Sequence, residues 1–139
     1  MISDLAYMRL AHLSWERQLE KLLDTRHVPN FEVASHEECP LGVWLYGEGL
    51  EEFGRIPEIH QLEQDHKLFH QAVRRVMRSY KHNRNDEAEE AFEDVKRLSR
   101  EIIYLLTVVE FSLLRKKNSR YVLRHPIRAL TQLFSRRDQ

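Results

Sequence analysis

Residues 57–82 read PEIHQLEQDHKLFHQAVRRVMRSYKH. Ile59, Leu62, His66, Phe69, Val73, Val76 and Met77 recur at spacings of three and four, the stripe of an amphipathic helix about 25 residues long. Pro57 opens it, since a proline at the first helical position gives up only an amide that the helix leaves unbonded. A helix with one long apolar stripe needs partners to cover it, so the fold turns on what lies on either side.

Upstream, Leu5, Met8, His12, Trp15, Leu19 and Leu22 repeat the same period and predict a helix from about Ser3, read as its N-cap, to Asp24. Residues 25–35, TRHVPNFEVAS, break the pattern and read as a loop. The segment CPLGVWLYGEGLEEFGRIP at 39–57 predicts a short helix with Pro40 in its first turn and Gly47 at its end. Downstream, residues 83–86 read as a turn, and a third long helix runs from about Asp86 to Lys117 with Val95, Leu98, Ile102, Leu105, Leu106 and Val109 inward. A last helix starts near Pro126 with Ile127, Leu130, Leu133 and Phe134. No alternating stretch argues for a strand. The expectation is an all-α fold, an antiparallel four-helix-type bundle with a short extra helix at the Cys segment and a short C-terminal helix. Residues 1–118 form the bundle and 119–139 a basic C-terminal helix or tail.

The chain has 139 residues, 42% hydrophobic and 32% charged, which suits one polar globular domain. A domain of that size does not need a metal merely to fold. The longest apolar run, Ile102 to Val109, is far short of the roughly 20 residues a bilayer requires, so no transmembrane segment is expected. The N-terminal stretch lacks the apolar core of a signal peptide, and the single Cys fits a reducing, cytoplasmic setting. Net charge is zero, but residues 1–110 carry −7 and residues 111–139 carry +7. The basic tail reads either as a solvated helix end or as a dock for an acidic partner or surface. No interleaving of aromatic and basic residues points to nucleic acid.

Eight histidines invite a search for metal ligands, and His-x-x-x-His alone is a weak signal at that density. His66 and His70 stand out because they are one turn apart at the edge of an apolar stripe, so both rings can close on one ion. His12 lies mid-stripe on the first helix. A buried imidazole needs partners, and a metal, a backbone carbonyl or a carboxylate would serve. Cys39, at the start of a short helix, is a thiolate ligand or a small buried hydrophobe, and nearby amides favour the thiolate. Together they form an N₃S set suited to Zn²⁺ and poor for Ca²⁺ or Mg²⁺. His36 sits three before Cys39 and could support or replace a ligand. Glu16, Asp65 and Glu110 are candidates to orient an imidazole. His27, His60, His82 and His125 read as surface residues.

The motifs AHLSW at 11–15, CPLGVWLYGEG at 39–49 and DHKLFH at 65–70 resemble the chemoreceptor zinc-binding (CZB) domain family in order and spacing. That family shows His-x-x-Trp, Cys-x-(Leu/Phe)-Gly-x-Trp and His-x-x-x-His, matched here by His12 with Trp15, Cys39 with Leu41, Gly42 and Trp44, and His66 with His70. Val43 stands where the family commonly has Lys. The resemblance covers roughly residues 5–115. It implies a homodimeric helical bundle in the bacterial cytoplasm, holding one zinc per chain through His12, Cys39, His66 and His70. It also implies a sensory role, in which zinc availability or oxidation of the thiolate by hypochlorous acid controls an output such as a chemoreceptor in chemotaxis or a diguanylate cyclase. No such output region lies in these 139 residues. A zinc held by four protein ligands leaves no open position for hydrolysis, so no enzymatic activity is expected. The alternatives are a structural-zinc dimeric adaptor and a di-iron bundle. The latter would need a second Glu-x-x-His pair besides Glu63 with His66.

Overall fold

A computed structural model of the chain describes residues 2–26, 34–124 and 127. Three long helices dominate: α1 (Ile2–Thr25), α4 (Pro57–Lys81) and α5 (Asn85–Arg124). Between α1 and α4 lie a short helix α2 (Pro40–Trp44), one turn of π-helix (Leu45–Gly49) and a short helix α3 (Leu50–Phe53). Among the described residues there is no strand. The all-α bundle expected from the sequence is what the chain forms.

The α4–α5 corner shows how local chemistry sets the topology. His82 ends α4, and Asn83 takes a left-handed backbone with φ of 58°, a conformation Asn tolerates better than most residues. The Asn83 amide donates to the Tyr80 carbonyl at 3.1 Å and the Arg84 amide to that of Ser79 at 2.9 Å. These paired bonds close a Schellman stop, and α5 can begin within three residues. So tight a turn makes α4 and α5 antiparallel neighbours, and Arg75 late in α4 meets Asp94 early in α5 at 3.1 Å. α1 is also antiparallel to α5: Arg9 near its start pairs with Glu110 near the far end of α5. α1 and α4 therefore run in the same direction on one side of α5.

The core gathers Leu5, Met8, Leu19 and Leu22 from α1, Ile59, Leu62, Phe69, Val73 and Val76 from α4, and Val95, Ile102, Leu106 and Val109 from α5, all buried. Leu41, Trp44, Leu45 and Phe53 pin the short segment to the end of the bundle where α4 begins. Tyr7 and Leu10 on α1 and Tyr104 and Phe111 on α5 are more than half exposed, an apolar set on the neighbouring helices. Among the described residues, no helix is long and apolar enough to cross a membrane.

Three boundaries differ from the sequence reading. α1 starts at Ile2, so Ser3 lies inside it rather than capping it. The Cys segment does not stop at Gly47. No glycine here has positive φ, so the left-handed stop never forms, and the chain stays right-handed through the π-turn to α3. α5 runs to Arg124, seven residues past Lys117. Asn118 and Ser119 are weak helix formers but not breakers, and the next proline is Pro126. The helix expected from Pro126 lies outside the described residues, apart from Ile127.

Candidate metal centre

Each side chain at the centre is delivered by a different piece of local structure. Cys39 is the N-cap of α2, with extended backbone (φ −70°, ψ 159°), and its Sγ accepts from the Gly42 amide at 3.4 Å. Residues 36–38 form the turn before it, closed by the Ser35 carbonyl, which accepts from the amides of Glu38 and Cys39 at 3.2 Å each. His66 and His70 come from successive turns of α4, ring centroids 4.6 Å apart and perpendicular. His12 comes from α1, its ring edge-on to His66 at 5.6 Å. All four are buried.

The ligand atoms of Cys39, His66 and His70 lie within 4.8 Å of one another. Cys39 Sγ is 3.1 Å from His66 Nε2, and His70 Nε2 is 3.0 Å from the same nitrogen. The structure thus brings three of the four expected ligands into one cluster. His12 stands beside it, outside that 4.8 Å circle.

Proton bookkeeping tests whether this cluster satisfies itself. His70 Nδ1 lies 2.9 Å from the Ala34 carbonyl and His12 Nδ1 2.8 Å from the Met8 carbonyl. A carbonyl only accepts, so both rings carry their proton on Nδ1 and leave Nε2 bare. Two atoms then press on His66 Nε2, while His66 Nδ1 is buried with no partner among the described residues. No arrangement of the available protons makes both short contacts good hydrogen bonds and also satisfies Nδ1. A cation among the three facing atoms removes that conflict, and a soft sulfur with two imidazole nitrogens is the donor set zinc prefers.

Electrostatics agree. Burial pushes His66 down to about 2, with His70, His12 and His36 adding to it. Burial takes His70 down to about 4 against the opposing bond to Ala34, and it lowers His12 against the bond to Met8. The rings are therefore neutral, the form that ligates. Cys39 corrects the sequence expectation. Burial pushes its thiol up, and the amides of Gly42 and Leu41 only partly offset this. Helix-end amides alone do not hold a thiolate here; a bound cation would.

These shifts predict acid sensitivity. The unfolded chain protonates its imidazoles near pH 6.5, whereas the folded His70 and His66 stay neutral down to about 4 and about 2. Between those limits the unfolded state binds more protons, so stability present above pH 6.5 is lost as pH falls, by about 1 kcal/mol per histidine per pH unit. Melting temperatures should drop steadily from pH 7 to pH 5. A flat profile would mean that these rings already exchange protons freely in the folded state.

The comparison with protein-family models matches residues 12–77, just under half the chain, to the chemoreceptor zinc-binding domain. The matched stretch begins at His12 and contains Cys39, His66 and His70. That stretch is similar to the chemoreceptor zinc-binding domain. No curated protein and no solved structure matches the chain. Within the matched stretch the Cys/His/His cluster has the make-up of a metal site.

The partners that orient its rings are main-chain carbonyls, those of Met8 and Ala34. The expected carboxylates are engaged elsewhere or make no contact with a ring: Glu110 pairs with Arg9, Asp65 accepts from Gln61 at 2.9 Å, and Glu16 touches no histidine among the described residues. His60 reaches away, to the Gly54 carbonyl at 2.8 Å. His36, offered by the sequence as a residue that could support or replace a ligand, has ring centroids 6.5 Å from His66 and 6.4 Å from His70. An apolar cavity of about 150 Å³ opens beside the cluster, lined by Met8, His12, Trp15, Cys39, Phe69 and His70 among others.

Proposed function

We propose that the domain holds one Zn²⁺ per chain through His12, Cys39, His66 and His70 and acts as a regulatory sensor of zinc and oxidants, not as an enzyme. The observation that carries this is the convergence of Cys39 Sγ, His66 Nε2 and His70 Nε2 on a common space their own protons cannot satisfy. Bound zinc would supply positive charge that keeps Cys39 as a thiolate. His70 and His12 would present Nε2 because Ala34 and Met8 hold their Nδ1 protons. Cys39 would be the reactive element, since it alone of the four can be oxidised at its donor atom. Losing that sulfur from the site frees the turn at 36–39 and, with it, the packing of α2 against α4.

The family resemblance and the exposed Tyr7, Leu10, Tyr104 and Phe111 support a homodimer in the cytoplasm that signals to a chemoreceptor or a diguanylate cyclase. That same exposed set also favours a second reading, a dimeric adaptor in which the zinc is purely structural.

Metal analysis and oxidation separate these readings. The purified protein should contain one zinc per chain, and a stoichiometric dose of hypochlorous acid should add one oxygen to Cys39 and shift the helical packing. A zinc-free protein whose Cys39→Ala variant behaves as the parent would refute both readings. A zinc site inert to the oxidant would leave only the adaptor.

A further inference from the structure

We infer that His36 is a reserve ligand, which takes the place of the Cys39 sulfur at the metal when that sulfur is removed or oxidised. The inference rests on the zinc site proposed above. With Zn–N bonds of about 2 Å, two imidazoles on one tetrahedral ion have ring centroids about 5 Å apart. His66–His70 at 4.6 Å and His12–His66 at 5.6 Å bracket that value. His36, at 6.5 Å and 6.4 Å from His66 and His70, stands only about 1 Å beyond it on both sides. It is the fourth imidazole around the cluster and faces the same two rings that Cys39 approaches.

The backbone couples His36 to Cys39. Both belong to one turn, hinged on the Ser35 carbonyl, and the His36 carbonyl lies 3.9 Å from Cys39 Sγ. A pivot of this turn that withdraws the sulfur moves the imidazole as well. The resting state keeps His36 out of the site. Its side chain is 26% exposed, with Nε2 3.8 Å from Glu37, and its ring lies edge-on to Tyr46 at 6.2 Å. Those contacts are weak and solvent-accessible, so leaving them costs little. The bond to the metal outweighs them, and the cost of burying the ring, once Cys39 no longer competes.

Oxidation by hypochlorous acid then changes the ligand set without emptying the site. The Cys39 thiolate gives two electrons to the oxidant: an S–O bond forms, the O–Cl bond breaks, chloride leaves, and the hydroxyl proton stays on the sulfenic acid. The sulfenic acid is a poorer ligand than the thiolate. His36 closes the vacancy, and the metal stays bound in an all-nitrogen set while the Cys39 side chain is released to report oxidation.

Cobalt(II) titration of the full chain tests this, with zinc competition to give affinities. The parent protein should bind one equivalent and show a thiolate-to-cobalt charge-transfer band. Cys39→Ala should lose that band yet still bind one equivalent, and His36→Ala alone should stay within about threefold of the parent. The double variant Cys39→Ala/His36→Ala should bind about 10- to 100-fold more weakly than Cys39→Ala alone. After equal hypochlorous acid treatment, the parent should retain its zinc and His36→Ala should release it. Circular dichroism of each variant checks that the helices persist, and His36→Gln repeats the test with a side chain of similar size. Equal affinities for Cys39→Ala and the double variant, with equal zinc retention after oxidation, would overturn the reserve role while leaving the zinc site standing. A parent chain that takes up no cobalt would overturn both.

Discussion

Replacing His66 by leucine is expected to abolish metal binding and yet raise the stability of the metal-free protein. His66 is the hub of the cluster: two other donor atoms approach its Nε2 within 3.1 Å, and its Nδ1 is buried without a partner among the described residues. A buried polar atom left unbonded costs about 1–3 kcal/mol, and leucine of similar volume removes that cost. In the presence of a chelator, His66→Leu should therefore unfold at a higher urea midpoint than the parent, by about 1–2 kcal/mol. With zinc at 1,000 times its dissociation constant the order should invert, because only the parent gains the roughly 4 kcal/mol of ligand linkage. A satisfied core histidine would behave differently. Its replacement would weaken the protein in both conditions, and that result would remove the case for a metal at this position.

The second large effect is expected at Gly42. A Cβ built there would sit 1.8 Å from the His36 carbonyl oxygen and 2.8 Å from its carbon, which are backbone atoms rather than a flexible side chain. Gly42→Ala must therefore push α2 away from the 36–39 turn, and overpacking of this kind costs about 1–3 kcal/mol or more. The loss should fall mainly on the site. That turn carries Cys39 and abuts Ala34, the partner of His70, while the α4–α5 core lies elsewhere. Zinc affinity should fall by at least tenfold, with far-UV circular dichroism almost unchanged. Gly47→Ala is the control. Nothing lies within 4 Å of its Cβ, its backbone is right-handed, and alanine is the better helix former by about 1 kcal/mol. It should leave affinity intact and stabilise slightly. Equal behaviour of the two variants would mean that the turn is not held by this contact.

Most of the fold was legible because each long helix writes its buried face into a three-and-four spacing, and Leu62, Phe69 and Val73, or Ile102, Leu106 and Val109, land in the core as that spacing requires. The errors came where sequence signals are permissive. Gly47 reads as a stop, but a glycine is free to stay right-handed, and the buried Trp44 and Leu45 keep the segment coiled through a π-turn. The sequence reading ended the last long helix near Lys117, yet no proline follows until Pro126, and the helix continues to Arg124.

At the site, residue type and spacing pointed to Cys39, His66 and His70, which the fold draws together from 27 and 4 residues apart. The atoms that orient the rings were not legible, because a carbonyl belongs to every residue and only the fold selects those of Met8 and Ala34. His36 was legible from its spacing, three before Cys39, as a residue that could support or replace a ligand, whereas its approach to the rings of His66 and His70 comes from the fold.

The pairing of Arg9 with Glu110 joins positions 101 residues apart, whereas α4 and α5 meet across a three-residue corner. Entropy of loop closure grows with the chain enclosed, so the α4–α5 hairpin can collapse on its own neighbours while α1 has the longest search. His12 travels with α1. The cluster's three donors are thus within reach as soon as the hairpin and the Cys segment have met, and the His12 imidazole beside it arrives with the last part of the chain's assembly.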